Sequence, residues 1–75
     1  MGKRLADGTL KDPCLDHLKP GEPFFVLRGQ DTLAPELVRL WALRAHQAGV
    51  SPEKVAEAIA TADEMETWPH RKVPD

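Results

Sequence analysis

Two prolines stand where helices can begin, and one glycine stands where the first of those helices has to stop. In Leu33-Ala34-Pro35-Glu36-Leu37-Val38, Pro35 suits the first helical position, because the N–H it lacks would have no intrahelical partner there. Leu33 and Val38 are spaced to pack over that start as a hydrophobic staple. Gly49 suits the left-handed position that follows a helix end. The same order repeats in Val50-Ser51-Pro52-Glu53-Lys54-Val55, with Ser51 as N-cap, Pro52 as the first helical residue and Val50 against Val55. The punctuation predicts helices over 35–48 and 52–68, the second ended by Pro69. A link of about three residues leaves no option but an antiparallel αα-hairpin.

The apolar spacing agrees. Leu37, Val38, Trp41, Ala42, Ala45 and Ala48 share one face of the first helix, and Val55, Ile59 and Ala62 share one face of the second, flanked by Ala58 and Met65. Facing alanines let two helix axes come close, and Trp41 is expected in the core. Leu40 and Leu43 fall off the main stripe, so the first helix should have a second side to cover.

Before the helices, Phe24-Phe25-Val26-Leu27 follows Pro23 and reads as a short strand from its aromatic and β-branched content. Nothing after it resembles a second strand, so its backbone partner would be the Thr9-Leu10 region or another copy of the chain. Residues 1–23 read as an irregular arm with turn signals at Asp7-Gly8, Asp12-Pro13 and Lys19-Pro20-Gly21. The expected organisation is therefore mainly α: an N-terminal arm (1–23), a strand plus helical hairpin (24–68) and a C-terminal tail (69–75).

Composition narrows the function classes. A chain of 75 residues makes one domain at most, with a core that is marginal unless a second copy adds surface. The single cysteine, Cys14, excludes an internal disulfide and fits a reducing compartment. Between residues 52 and 68, Lys54 faces Glu53, Glu57, Asp63, Glu64 and Glu66. So acidic a half argues against general nucleic-acid binding. No apolar run reaches the length of a membrane span, no signal-peptide core is present, and Ala6 occupies the position where myristoylation needs Ser or Thr. The expected location is the cytoplasm.

Catalysis finds little material. Cys14-x-x-His17 has half the spacing of a zinc site, but His46 and His70 lie far along the chain, and a closed site needs about four ligands. Cys14 as a nucleophile would need a base and an oxyanion-stabilising group. No phosphate loop, nucleophile elbow or HExxH is present. The expectation is no enzyme, no metal and no cofactor.

Two sets of residues remain. Glu66 follows Val55, Ile59 and Ala62 at helical spacing, which sets a carboxylate on the apolar stripe, where it needs a partner. The antiparallel hairpin brings it near Arg39, or near Arg28 leaving the strand, and a structural ion pair is expected. Arg28, Gln30, Arg39 and Arg44 could together read an anionic or nucleotide-like ligand. Trp68, beside Pro69, is either a lid on the hairpin or a partner anchor.

From Glu22 onward, EPFFVLRGQDTLAPELVRLWA and then AGVSPEKVAEAIATADEMETW resemble a group of short bacteriophage and prophage proteins. The likeness spans about two-thirds of the chain, rests chiefly on the FVLRxQD–LAP block, and leaves out the arm through Gly21. The group carries no assigned activity, so no residue role comes with the likeness. It implies a phage setting, in which small accessory proteins bind host proteins or sequester defence signals. The resulting expectation is a self-associating, non-catalytic protein that binds a host component, with sequestration of a nucleotide-like signal as the alternative.

Overall fold

A computed structural model describes residues 2–75. In chain order it comprises β1 (Lys3–Arg4), β2 (Leu10–Lys11), a single-turn α1 (Pro13–Asp16), α2 (Ala34–Gln47) and α3 (Pro52–Glu66). The molecule is mainly α, and α2 and α3 pack as a helical hairpin.

The link between α2 and α3 is built as the punctuation requires. Gly49 sits at φ +86°, where only glycine is unstrained. Its N–H bonds the His46 carbonyl at 3.1 Å, and the Val50 N–H reaches back to the Ala45 carbonyl at 3.0 Å. That pair of bonds is the Schellman arrangement, and it satisfies carbonyls that the helix end would otherwise leave open. Ser51 then caps α3, its side chain accepting from the Lys54 N–H. At the start of α2 the cap is different. Leu33 holds the cap position without a side-chain bond, and Asp31 does the work from two residues earlier by accepting from the Leu33 N–H at 2.7 Å.

The seam between α2 and α3 is made of small side chains. Ala34, Ala42, Ala45, Ala58 and Ala62 are buried, with Pro35 beside them. Among the described residues, no large side chain is fully buried. Trp41, expected in the core, is 47% exposed, and Leu37 and Ile59 are about as open. The reason is geometric. Once alanines close the seam, the bulky residues beside them are pushed to its edges.

The β-structure lies elsewhere than in the Phe24–Leu27 segment, and that placement is corrected. Residues 22–28 form no strand, and among the described residues nothing supplies Phe24–Leu27 with ladder bonds. The strands are in the arm, where β1 and β2 pair antiparallel with Lys3 opposite Lys11 and Arg4 opposite Leu10. Their loop closes through Gly8 N–H to the Leu5 carbonyl at 2.9 Å and Leu5 N–H to the Thr9 carbonyl at 2.7 Å. Gly8, at φ +90°, supplies the left-handed residue that a three-residue hairpin loop needs. The Asp7-Gly8 signal thus marks a hairpin whose strands are too short and too polar to register as strands. Asp12 caps α1, its side chain accepting from Cys14 N–H at 3.0 Å.

The tail is also tied down. Lys72 N–H donates to the Gln30 carbonyl at 2.7 Å, and Thr32 N–H donates to the Lys72 carbonyl at 3.0 Å. Arg71 bridges the last turn of α3 to this junction, donating to the Glu66 carbonyl at 3.0 Å and to the Asp31 carbonyl at 3.3 Å. By contrast, β1, β2 and α1 pack against neither long helix at backbone range. Among the described residues, the Lys3–Glu64 ion pair at 3.3 Å links β1 to α3.

Candidate functional site

Three of the residues singled out in the sequence meet in one place. Arg28, Gln30 and Trp68 line a cleft of about 290 Å³ between the segment leaving Leu27 and the end of α3. Trp68 is set there because Thr67 ends α3 and the Trp68 N–H still bonds the Met65 carbonyl at 3.2 Å. That bond holds the indole against the last turn. Gly29 brings the opposite wall close, since a Cβ at that position would stand 3.9 Å from Met65 and Trp68. Leu27 and Met65 give the cleft an apolar lining, and Lys3 and Glu64 stand at its margin, bonded to each other. Arg28 has no polar side-chain partner among the described residues, so its charge is available. Trp68 is about half exposed, and the Gln30 side chain is half-buried.

The other two candidates go elsewhere. Arg39 turns toward α3 and forks, one guanidinium nitrogen bonding Asp63 at 2.8 Å and the other bonding Glu66. The hydrogen bond it donates to Asp63, then the one it donates to Glu66, raises the already high pKa of this arginine. All three side chains remain substantially exposed, so water and salt screen the fork. Glu66 therefore lies at the open edge of the seam, and its arginine is Arg39. Arg28, on the cleft by Trp68, is not part of the pair, because the segment carrying it passes the other side of α3. Arg44 stands exposed in the last turn of α2 with no polar side-chain partner among the described residues, where its charge suits the helix dipole.

Sequence reasoning missed Asp63 and Lys3. Asp63 was legible in principle, because it lies one turn before Glu66 on the same face. Lys3 had no signal, since its place depends on how the arm folds back.

A second and larger hollow, about 650 Å³, separates the arm from the hairpin; Phe24, Phe25, Val38 and Met65 are among the residues along it. It is a gap between loosely joined parts, and Lys3, Arg4, Lys11, Asp12 and Arg28 line it as well. Cys14 is exposed at the first turn of α1. Among the described residues, no three His, Cys, Asp or Glu side chains are grouped as a metal site would require, and no helix is long and apolar enough to cross a membrane.

The outer side of α2 also carries exposed apolar side chains. Leu33, Leu40 and Leu43 lie along it, Leu40 and Leu43 being 48% and 53% exposed. No family model, curated protein or solved structure matches this chain.

Proposed function

We propose that this chain is a small, non-catalytic accessory protein of phage type that acts in the cytoplasm of a bacterial host by binding a host protein, with interference in host defence as its setting. The observation that carries this reading is the leucine-bearing outer face of α2, which no element among the described residues covers. Leu33, Leu40 and Leu43 form a ridge suited to an apolar groove. The resemblance to short phage and prophage proteins supports the setting. The test is capture from host lysate with the wild-type chain and with Leu40→Glu/Leu43→Glu, whose seam residues are untouched. A specific protein held by the first and lost by the second, at equal helix content, supports the reading. Equal capture by both removes it.

A second reading, an oligomeric protein that sequesters a nucleotide-like signalling molecule, is favoured by the meeting of Arg28, Gln30 and Trp68 on one cleft. A free guanidinium beside an indole suits a flat anionic ligand, through charge-assisted bonds and stacking. Mono-, di- and cyclic nucleotides should then raise the melting temperature by mass action, and less so after Arg28→Ala. No shift with any of them leaves protein binding as the function.

A further inference from the structure

Phe24, Phe25, Val26 and Leu27 make no backbone hydrogen bond among the described residues, and residues 22–28 contain neither turn nor bend. Phe25 is 84% exposed, and Phe24 and Val26 are 63% exposed each. A straight, apolar segment with all its N–H and C=O groups open is a template for strand addition. We infer that this segment pairs antiparallel with the same segment of a second copy of the chain, in a register centred on Phe25.

Charge and backbone chemistry select that partner and that register. Centring on Phe25 sets Phe24 opposite Val26 of the second copy, Pro23 opposite its Leu27, and Glu22 opposite its Arg28. Both copies then contribute one opposite-charge cross-strand pair. Among the described residues, Arg28 has no side-chain partner of its own, and the Glu22 carboxylate accepts a backbone N–H, from Lys19 at 3.2 Å. A register shifted by one residue loses both ion pairs and sets Glu22 against Gly29. Pro23 decides the bonding pattern. It has no N–H, so it belongs at a non-hydrogen-bonded position, which makes the Phe25 pair non-hydrogen-bonded as well. The ladder bonds then run between Phe24 and Val26. The two Phe25 rings come to the closer of the two cross-strand spacings, where aromatic pairs pack well.

The exposed area agrees with a second copy. The chain presents 6123 Å² to solvent, whereas a folded monomer of 8.3 kDa should present roughly 4600 Å². The excess exceeds the ~800 Å² that each partner commonly buries in a stable interface. The inference does not depend on which host protein, if any, the α2 face binds.

Sedimentation of the full chain across a wide concentration range tests it. The wild type should pass from monomer to dimer. Glu22→Arg and Arg28→Glu alone should each weaken the dimer by about tenfold or more, because each opposes like charges across both pairs. The combined Glu22→Arg/Arg28→Glu chain should recover the affinity, since the reversed pairs are again opposite in sign. Hydrogen exchange of the wild type adds a test that needs no variant. At dimer concentrations the Phe24 and Val26 amides should be protected, and those of Phe25 and Leu27 should not. A monomer at every concentration, a double variant no tighter than the singles, or uniform or inverted amide protection would each overturn the inference.

Discussion

Arg39 shows how little an exposed charge needs in order to be useful. Its fork onto Asp63 and Glu66 contributes orientation more than stability, because solvent screens all three groups. Glu66→Gln combined with Asp63→Asn should lower the melting temperature slightly at low salt and leave it unchanged near ~1 M salt, where the Debye length is only about 3 Å. A drop that persists in high salt would mean that the pair is shielded from solvent. Asp7 gives a pH dependence of definite sign. The Thr9 backbone N–H bonds its carboxylate at 2.9 Å, and with the Thr9 hydroxyl holds its pKa below the usual 3.8. A depressed carboxyl pKa stabilises the β1–β2 loop above the ordinary value. That contribution is lost as pH falls below it and through the lowered one. The Thr9 amide should lose its protection over that acid range in the wild type, and should show no such titration in Asp7→Ala. A Thr9 amide indifferent to acid in the wild type would remove Asp7 from the turn's stability.

At the scale of elements, the α2–α3 turn is the most tightly specified part of the chain. Gly49→Ala keeps every apolar contact but forces a side chain into the left-handed region, a cost of roughly 1–2 kcal/mol. The denaturant midpoint should fall accordingly, with the slope unchanged. An unchanged midpoint would mean that the turn relaxes to another conformation without loss. The β-structure carries the opposite lesson. Phe24–Leu27 has strand-forming side chains and no ladder, whereas Lys3–Arg4 and Leu10–Lys11 have polar side chains and do pair. Side-chain preference proposes a strand, but the backbone needs an edge to bond with, and the Asp7-Gly8 loop is what brings the edges of β1 and β2 together.

The whole molecule is looser than its length requires. Its radius of gyration is 13.1 Å, against roughly 11 Å for a close-packed chain of this size. The excess comes from an arm held off the helices by hollows and from a seam of alanines that buries little apolar area. Cooperativity should follow this division. Amides of β1, β2 and α1 should exchange through local opening at a far lower free energy than those at the centres of α2 and α3. Identical protection in arm and hairpin would show a single folding unit. Association is the route by which so open a chain can gain burial. It also sets the two roles of Arg28 in competition, since a guanidinium paired with Glu22 of a second copy is withdrawn from the cleft beside Trp68.

The two long helices, their antiparallel order and the alanine faces that meet were all legible in the chain before any contact was known. Those features rest on local rules: proline without an N–H at a helix start, glycine at a left-handed stop, and apolar residues repeating at the helical period. The turn chemistry at Asp7-Gly8 was also local, but the pairing it produces was not. Long-range packing places Trp41 at the edge of the seam, joins Asp63 to Glu66 on Arg39, and returns residues 71 and 72 to Gln30 and Asp31. Each of these depends on the distance between segments remote in sequence. That distance is set by how helices, arm and tail pack on one another, which no local pattern encodes.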